Sequence, residues 1–264
     1  MAKVMPTVLQ KIVAATKERV ERERKNWRPL SDNARNRQPL DFTKAFSKDK
    51  LNVIAEVKLA SPSAGSFGDL DPLAIAKDYL RNGAAALSVL TEPDYFHGSL
   101  GYLASIRPYA DIPLLMKDFF LSQFQLDQAL SAGADCILLI VSMLEYEELC
   151  KLHAAARERG LSVLVEVHDE EELHQALEIG ARLVGVNNRN LHTLEVSLDV
   201  ARHLAPIARE HDQNVTLICE SGIYNNEEMV ELKDLGYDGF LVGTSLVRSG
   251  EPGMKLRELM GNKR

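Results

Sequence analysis

Residues 162–188 read SVLVEVHDEEELHQALEIGARLVGVNN. A β-rich apolar run (SVLVEVH, 162–168) meets an acidic helix start at Asp169. The following helical pattern stops at Gly180, and a second apolar run opens at Leu183 (LVGVNN, 183–188). Asp is a favoured helix N-cap and Gly a cheap left-handed stop, so the stretch reads as strand, helix, strand. Both runs are nearly continuously apolar, as in parallel strands covered by helices.

The same unit recurs on either side. Further runs are VIAEVK (53–58), ALSVLT (86–91), PLLMKD (113–118), CILLIV (136–141), TLICES (216–221) and GFLVGT (239–244). Successive starts lie 21 to 33 residues apart, room for one helix per crossover. DPLAIAKDYL follows the first run, with Asp71 as cap and Pro72 at the first helical position. SQFQLDQALSAG, LEYEELCKLHAAARERG and NNEEMVELKDLG fill later gaps, and Gly83, Gly133, Gly160 and Gly236 end helices as Gly180 does. Eight such units in roughly 210 residues predict an α/β fold, a closed (β/α)8 TIM barrel. A doubly wound sheet is the alternative, disfavoured by its usual smaller strand number and by the absence of GxGxxG and Walker A patterns.

Residues 1–47 read as an N-terminal helical extension and 48–264 as the barrel. In VLQKIVAATKERVERERK (8–25), Val8, Ile12, Ala15 and Arg19 share a stripe, with Leu9, Val13 and Val20 beside it. Glu18–Arg22 and Glu21–Lys25 are favourably spaced surface pairs. Residues 1–30 hold eight Lys and Arg against three Glu, but Glu interrupts the run and no base-reading motif follows. Pro29 and Pro39 mark a connector, in which Trp27 is placed to pack the arm on the barrel.

Composition bounds the function. The 264 residues are 45% hydrophobic with a net charge of -7, which gives no global attraction to nucleic acid or anionic membrane. Three cysteines without a CxxC pattern fit a reducing compartment. No run approaches a transmembrane length, and the first residues lack a signal-peptide core, so a cytoplasmic protein is expected. Seven histidines form no HExxH or paired zinc spacing, and no metal site is expected. The arm is able to fold on its own barrel or meet a neighbour, which leaves monomer and weak homo-oligomer open.

In a barrel, the C-terminal strand ends form the active face. At those ends stand Glu56 and Lys58, Lys117, Glu166, Asn187 with Asn188 and Arg189, and Glu220 with Ser221. Side chains alternate along a strand, so Glu56 and Lys58 share a face. That face is inward, because an outward charge would meet an apolar helix layer. Lys117 is read inward rather than Asp118, which is available to cap the next helix. Clustered carboxylates and ammoniums shift one another's proton affinity, the ordinary condition for acid–base work. Ser221-Gly222 and Gly243-Thr244-Ser245 follow the last two strands, where barrel enzymes often bind phosphate, and Ser61-Pro62-Ser63 adds a small-residue first loop. Phe96, Phe119 and Leu191 lie in loops beyond strand ends, placed to wall an apolar part of a ligand. His168 follows Glu166 by two and is able to reach the mouth, but it also reads as the entry to a helix.

EVKLASPSAG, ALSVLTEPDYFHGS, PLLMKDFF, GADCILLI, LVEVHDEEEL, GVNNRNL, ICESGI and LVGTSLVR together resemble the indole-3-glycerol-phosphate synthase family, lyases of tryptophan biosynthesis. The likeness runs from about residue 5 to 260 and includes the arm. It implies catalytic positions at Glu56, Lys58, Lys117, Glu166, Asn187 and Glu220. It implies substrate contacts at Ser61, Phe96, Phe119, Arg189, Leu191 and Ser221, and phosphate contacts at Lys58, Gly222, Gly243 and Thr244. The family more often carries Arg or Lys at positions 59 and 64, here Leu59 and Ala64, and often Glu or Ser at 244, here Thr. The implied reaction closes the indole ring of 1-(2-carboxyphenylamino)-1-deoxyribulose 5-phosphate with loss of carbon dioxide and water, and needs no cofactor. A related phosphosugar isomerase, or a barrel that binds without turnover, is the competing reading.

Overall fold

The structure, a computed structural model, describes residues 8–30, 37–61, 65–191 and 193–262. Pro62, Ser63, Ala64, His192 and the side chain of Val8 lie outside that set. Eight parallel strands close into a barrel: β1 (Val53–Val57), β2 (Ala86–Leu90), β3 (Leu114–Lys117), β4 (Cys136–Ile140), β5 (Ser162–Val167), β6 (Leu183–Asn187), β7 (Thr216–Glu220) and β8 (Gly239–Val242). Each pairs with its predecessor, and β1 pairs with both β2 and β8, so no edge remains. Every strand starts within a residue of its expected place and stops one or two residues short of the apolar window, where the chain leaves the ladder for a loop.

Alternation along the strands builds two cores. Ile54, Leu115, Leu138, Leu164, Ile218 and Leu241 meet inside the barrel, with Phe42 closing its N-terminal end. Val53, Ala55, Leu114, Met116, Val163, Val165, Leu217 and Cys219 face the helices. Glu56, Lys117, Glu166 and Glu220 stand two residues beyond Ile54, Leu115, Leu164 and Ile218, so period-two geometry turns all four inward.

The five expected helices form, four of them capped by Asp71, Ser122, Asp169 and Asn225, while Tyr146–Glu158 starts without a side-chain cap. The five stop glycines all take positive φ, from 76° to 112°. At Gly133 a Cβ would also strike the Arg107 side chain at 2.7 Å, so space and conformation both require glycine. Further helices span Leu100–Ile106, Asp199–His211 and Pro252–Leu259. The second has Pro206 inside it, yet Ala201, Leu204, Ala205 and Ala208 keep its periodic buried face. No helix among the described residues is long and apolar enough to cross a membrane.

The N-terminal helix, Val8–Asn26, buries Ile12, Thr16, Arg19 and Val20, so Thr16 rather than Ala15 takes the contact position. The expected Glu18–Arg22 and Glu21–Lys25 pairs do not close among the described residues; Arg24 meets Glu21 at 3.5 Å instead. Trp27 packs edge-on against Phe124 with ring centroids 5.5 Å apart. Arg19 is the anchor. Its guanidinium donates from Nη1 (3.1 Å) and Nη2 (2.5 Å) to the two oxygens of buried Asp118, which also accepts from Thr91 Oγ1 at 2.9 Å. Asp118 therefore does not cap the next helix; Ser122 does, and alternation turns Asp118 away from Lys117 toward the arm. Breaking a buried pair strands a charge. Arg19→Met should cost about 3–5 kcal/mol in urea unfolding, and adding Asp118→Asn should recover most of it. A single variant as stable as the parent would refute the anchoring role.

Candidate active site

The C-terminal mouth of the barrel opens into one cavity, lined by Glu56, Lys58, Ser61, Phe96, Lys117, Phe119, Glu166, Asn187, Arg189, Leu191, Glu220, Ser221, Gly222, Gly243 and Thr244. Every residue singled out from the sequence as catalytic, substrate-contacting or phosphate-contacting is thus brought to one place. Glu56, Lys117, Glu166 and Glu220 come from β1, β3, β5 and β7, one layer contributed by alternate strands.

Lys117 organises that layer. Its Nζ lies 2.8 Å from Glu220 Oε2 and 3.3 Å from Glu166 Oε2. Burial opposes the charged ammonium, but Glu220, Glu166 and Glu56 outweigh it and hold Lys117 above the usual lysine range. Lys58 lies beside it in a separate pair, its Nζ 2.5 Å from Glu56 Oε1.

The two carboxylates on Lys117 are not equivalent. Glu166 Oε1 accepts from Asn187 Nδ2 at 2.9 Å and faces His168 Nε2 at 3.4 Å. Burial would raise its pKa, yet Lys117, His168 and Asn187 hold it well below the usual carboxylate range. Glu220 receives Lys117 on Oε2, while Oε1 is buried without a hydrogen-bond partner. Burial and the neighbouring Glu166 and Glu56 charges prevail over the ammonium there, and its pKa is pushed up to about 7. The ion pair and the raised pKa pull in opposite directions; the orphaned oxygen supports the raised one, because a buried acceptor without a donor favours the protonated acid.

Space for these groups comes from glycines. A Cβ at Gly185 would collide with Glu220 Oε1, and one at Gly243 with the Glu56 carboxylate. Asn187 and Asn188 divide by strand parity. Asn187 serves Glu166, while Asn188 donates to the carbonyls of Glu220 and Ser221 at 2.9 and 3.1 Å and accepts from Ala201 N at 3.0 Å, a loop-holding role. Arg189 bonds its own loop through Leu194 O at 2.9 Å.

Phe96 and Phe119 stack at a tilt, with centroids 6.1 Å apart, and form an apolar wall with Leu191. Phe96 closes a one-turn helix, Pro93–Phe96, rather than lying in a loop; Glu92 caps it through the backbone N–H groups of Asp94, Tyr95 and Phe96. Leu138 and Ile140 of β4 and Leu9 and Ile12 of the N-terminal helix extend the wall. None was singled out for the site, since inward apolar residues are indistinguishable from core by pattern. Ser221 and Gly222 have successive positive φ values, 65° and 82°, which turn the chain after β7 sharply at the cavity rim. Among the described residues no cluster of three or more His, Cys, Asp or Glu is arranged to hold a metal ion.

The fold and this charged layer define a (β/α)8-barrel enzyme. A family profile described as indole-3-glycerol phosphate synthase matches residues 9–259. A relative of that name from Laribacter hongkongensis is 42% identical over 264 residues, covering 97% of this chain and 99% of the relative. Another, from Carboxydothermus hydrogenoformans, is 42% identical and covers 96% and 99%. The chain belongs to the indole-3-glycerol phosphate synthase family. A chain of the tryptophan synthase complex from Pyrococcus furiosus shares the fold at TM-score 0.62 and 18% identity, covering 82% of this chain and 99% of its own. A 3-hexulose-6-phosphate synthase does so at TM-score 0.64 and 15% identity, covering 81% and 100%.

The raised pKa of Glu220 has a thermodynamic signature. A carboxyl that is harder to ionise in the fold than in the unfolded chain destabilises the fold once pH exceeds its unfolded value of about 4.3, and fully so above about 7. Glu220→Gln removes that penalty. The substitution also leaves Lys117 with Glu166 as its nearest carboxylate, a loss present throughout the range from pH 4 to pH 8. Calorimetry should therefore show the Tm of the variant relative to the parent rising from pH 4 to pH 8. A relative Tm that stays level or falls over that range would overturn the assignment.

Proposed function

We propose that this cavity performs the indole-3-glycerol-phosphate synthase reaction, closing 1-(2-carboxyphenylamino)-1-deoxyribulose 5-phosphate to indole-3-glycerol phosphate with release of carbon dioxide and water. The observation that carries the reading is the Lys117 ammonium held between two buried carboxylates of unequal proton affinity, at the mouth of the barrel.

The substrate ketone must become electrophilic before the anthranilate ring attacks it. Lys117 donates its proton to the ketone oxygen as the new carbon–carbon bond forms. Loss of carbon dioxide restores the benzene ring and leaves a hydroxyl-bearing five-membered ring. Lys58, paired with Glu56, holds the substrate carboxylate and protonates the departing hydroxyl. Glu166 takes the proton whose loss completes the aromatic indole. Its lone pairs stay available at neutral pH because it remains ionised there. Glu56 orients Lys58 directly and acts on Lys117 through its charge. Asn187 and Glu220 hold substrate hydroxyl or amine groups.

The Phe96–Phe119 wall accommodates the aromatic ring, with Leu191 beside it. Ser61, Arg189 and Ser221 are assigned to the polar chain of the substrate. The turns at Gly222 and at Gly243-Thr244, with Lys58, are assigned to its phosphate. No redox change occurs in this sequence of steps, and aromatisation drives it forward. The three free thiols, Cys136, Cys150 and Cys219, accord with a reducing cytoplasmic setting.

The direct test is turnover of the synthetic carboxyphenylamino substrate by purified protein, followed by indole fluorescence, with phosphoribosylanthranilate as a control that should be left unchanged. No indole from folded protein ends the reading. Lys117→Ala should lose at least about 10²- to 10⁴-fold in rate with a native circular dichroism spectrum. Parental turnover in that variant removes Lys117 from its role.

A further inference from the structure

His168 stands at the exit of β5, one residue before the Asp169 cap of the helix Glu170–Glu178. Its ring lies between two carboxylates. Nδ1 is hydrogen-bonded to Glu172 Oε2 at 2.9 Å, whereas Nε2 is buried without a hydrogen-bond partner among the described residues and lies at ion-pair distance, 3.4 Å, from Glu166 Oε1. Glu172 is itself held in place: Oε2 accepts the His168 backbone N–H at 2.8 Å, and its own N–H donates to Asp169 Oδ1 at 2.9 Å. Across the cavity, Lys117 reaches the other oxygen of Glu166, and Asn187 donates to the oxygen that His168 faces.

A neutral imidazole carries one N–H. Either neutral tautomer would aim a lone pair at one of the two carboxylates. Only the doubly protonated ring turns an N–H toward both, as a hydrogen bond to Glu172 and as a charge contact to Glu166.

We propose that His168 is a positioning residue for Glu166: an imidazolium clamped by Glu172 that fixes the Glu166 carboxylate and keeps its charge compensated when Lys117 gives up its proton. This rests on Lys117 acting as proton donor and Glu166 as base. Before the ketone is protonated, Glu166 faces two cations. Once Lys117 is neutral, His168 is the remaining positive group against it, and the carboxylate keeps both its orientation and its ionised state for the final proton removal. Burial works against the charged ring, yet Glu166 and Glu172 raise its pKa to about 10, so the imidazolium persists across the neutral range. The sign is the reverse of a neutral-pH switch: the clamp is present below that value and is lost only as pH rises through it.

Two measurements on the full chain test this. Two-bond nitrogen–proton spectra of histidine-labelled protein should show the His168 ring protonated on both nitrogens at pH 8, and Glu172→Gln should lower its titration midpoint by about one to three pH units. A neutral His168 ring in the parent at pH 8 overturns the proposal, whether or not any variant folds. In kinetics, His168→Gln should lower kcat by about 10- to 100-fold with little change in KM, as expected when a reacting group is misplaced after substrate binds. Glu172→Gln should move kcat in the same direction, and the double variant should be no slower than His168→Gln alone, because both act through one path. A His168→Gln enzyme with parental kcat, or one whose only change is a lower Tm, overturns the proposal. Glu166→Gln is measured alongside. If it is inactive while His168→Gln is unaffected, the positioning role falls and the base assignment stands; if Glu166→Gln itself turns over normally, the base assignment falls and the positioning role falls with it.

Discussion

A single ammonium group, Lys117 Nζ, makes it possible to place two carboxylates inside the end of an otherwise apolar barrel. Each buried carboxylate alone would face a desolvation penalty of several kcal/mol, and the pair would repel. Lys117 bridges them at 2.8 and 3.3 Å, so the three groups must be considered as one unit. The surrounding sequence is shaped to admit them: glycine at 185 and 243 leaves room where any side chain would strike Glu220 or Glu56. The interior packing below, from Ile54, Leu115, Leu164 and Ile218, fixes the height at which the layer sits.

The bridge is symmetric in composition but not in consequence. Glu166 gains Asn187 and His168 in addition to Lys117, while Glu220 keeps one oxygen without a partner. One carboxyl is therefore driven toward permanent ionisation and the other toward protonation near neutrality. Separation of proton affinities between neighbouring carboxyls is how a single site supplies distinct proton-transfer roles at one pH. Directly behind Lys117 in sequence, Asp118 points the other way and binds Arg19, so the N-terminal helix is tied to the strand end that carries the ammonium. Leu9 and Ile12 reach the cavity from that same helix.

Much of this was legible because a strand has period two. Glu56 and Lys58 fall on one face, and a charge deep in a covered strand must turn inward; the same rule separates Lys117 from Asp118. Strand starts were legible from nearly continuous apolar runs, and helix ends from Asp71, Asp169 and the five stop glycines, whereas the Ser122 and Asn225 caps were not anticipated. Other features leave no such trace. Asp118 could be read as a helix cap because its partner, Arg19, is 99 residues away. His168 shares the face of Glu166 by the same alternation, but its local pairing with Glu172, four residues on, reads in sequence as an ordinary helix entry. Leu9, Ile12, Leu138 and Ile140 look like core because a ligand wall and a core use the same residues. Gly185 sits inside a strand with no sequence sign that a carboxylate lies above it.

The fold is shared widely, and the charged layer it carries cannot be read from it. Chains only 15 to 18% identical to this one share its fold, so the eightfold architecture does not select a reaction. Selection comes from which strand ends carry charge and from the loops around them. Position 244 illustrates the scale of such changes. Thr244 lines the cavity at the start of a short helix after β8. A glutamate there would bring negative charge to the rim assigned to phosphate, whereas threonine keeps a hydroxyl and adds none. Leu59 likewise leaves a cation out of the first loop, so among the described residues the lysines and arginines lining the cavity are Lys58, Lys117 and Arg189. Of these, Lys117 is held by two buried carboxylates and Arg189 is bonded to its own loop, while Lys58 has one carboxylate partner. Lys58 is therefore the cation best able to swing toward an incoming anion, which is the physical basis for assigning it to both anionic groups of the substrate.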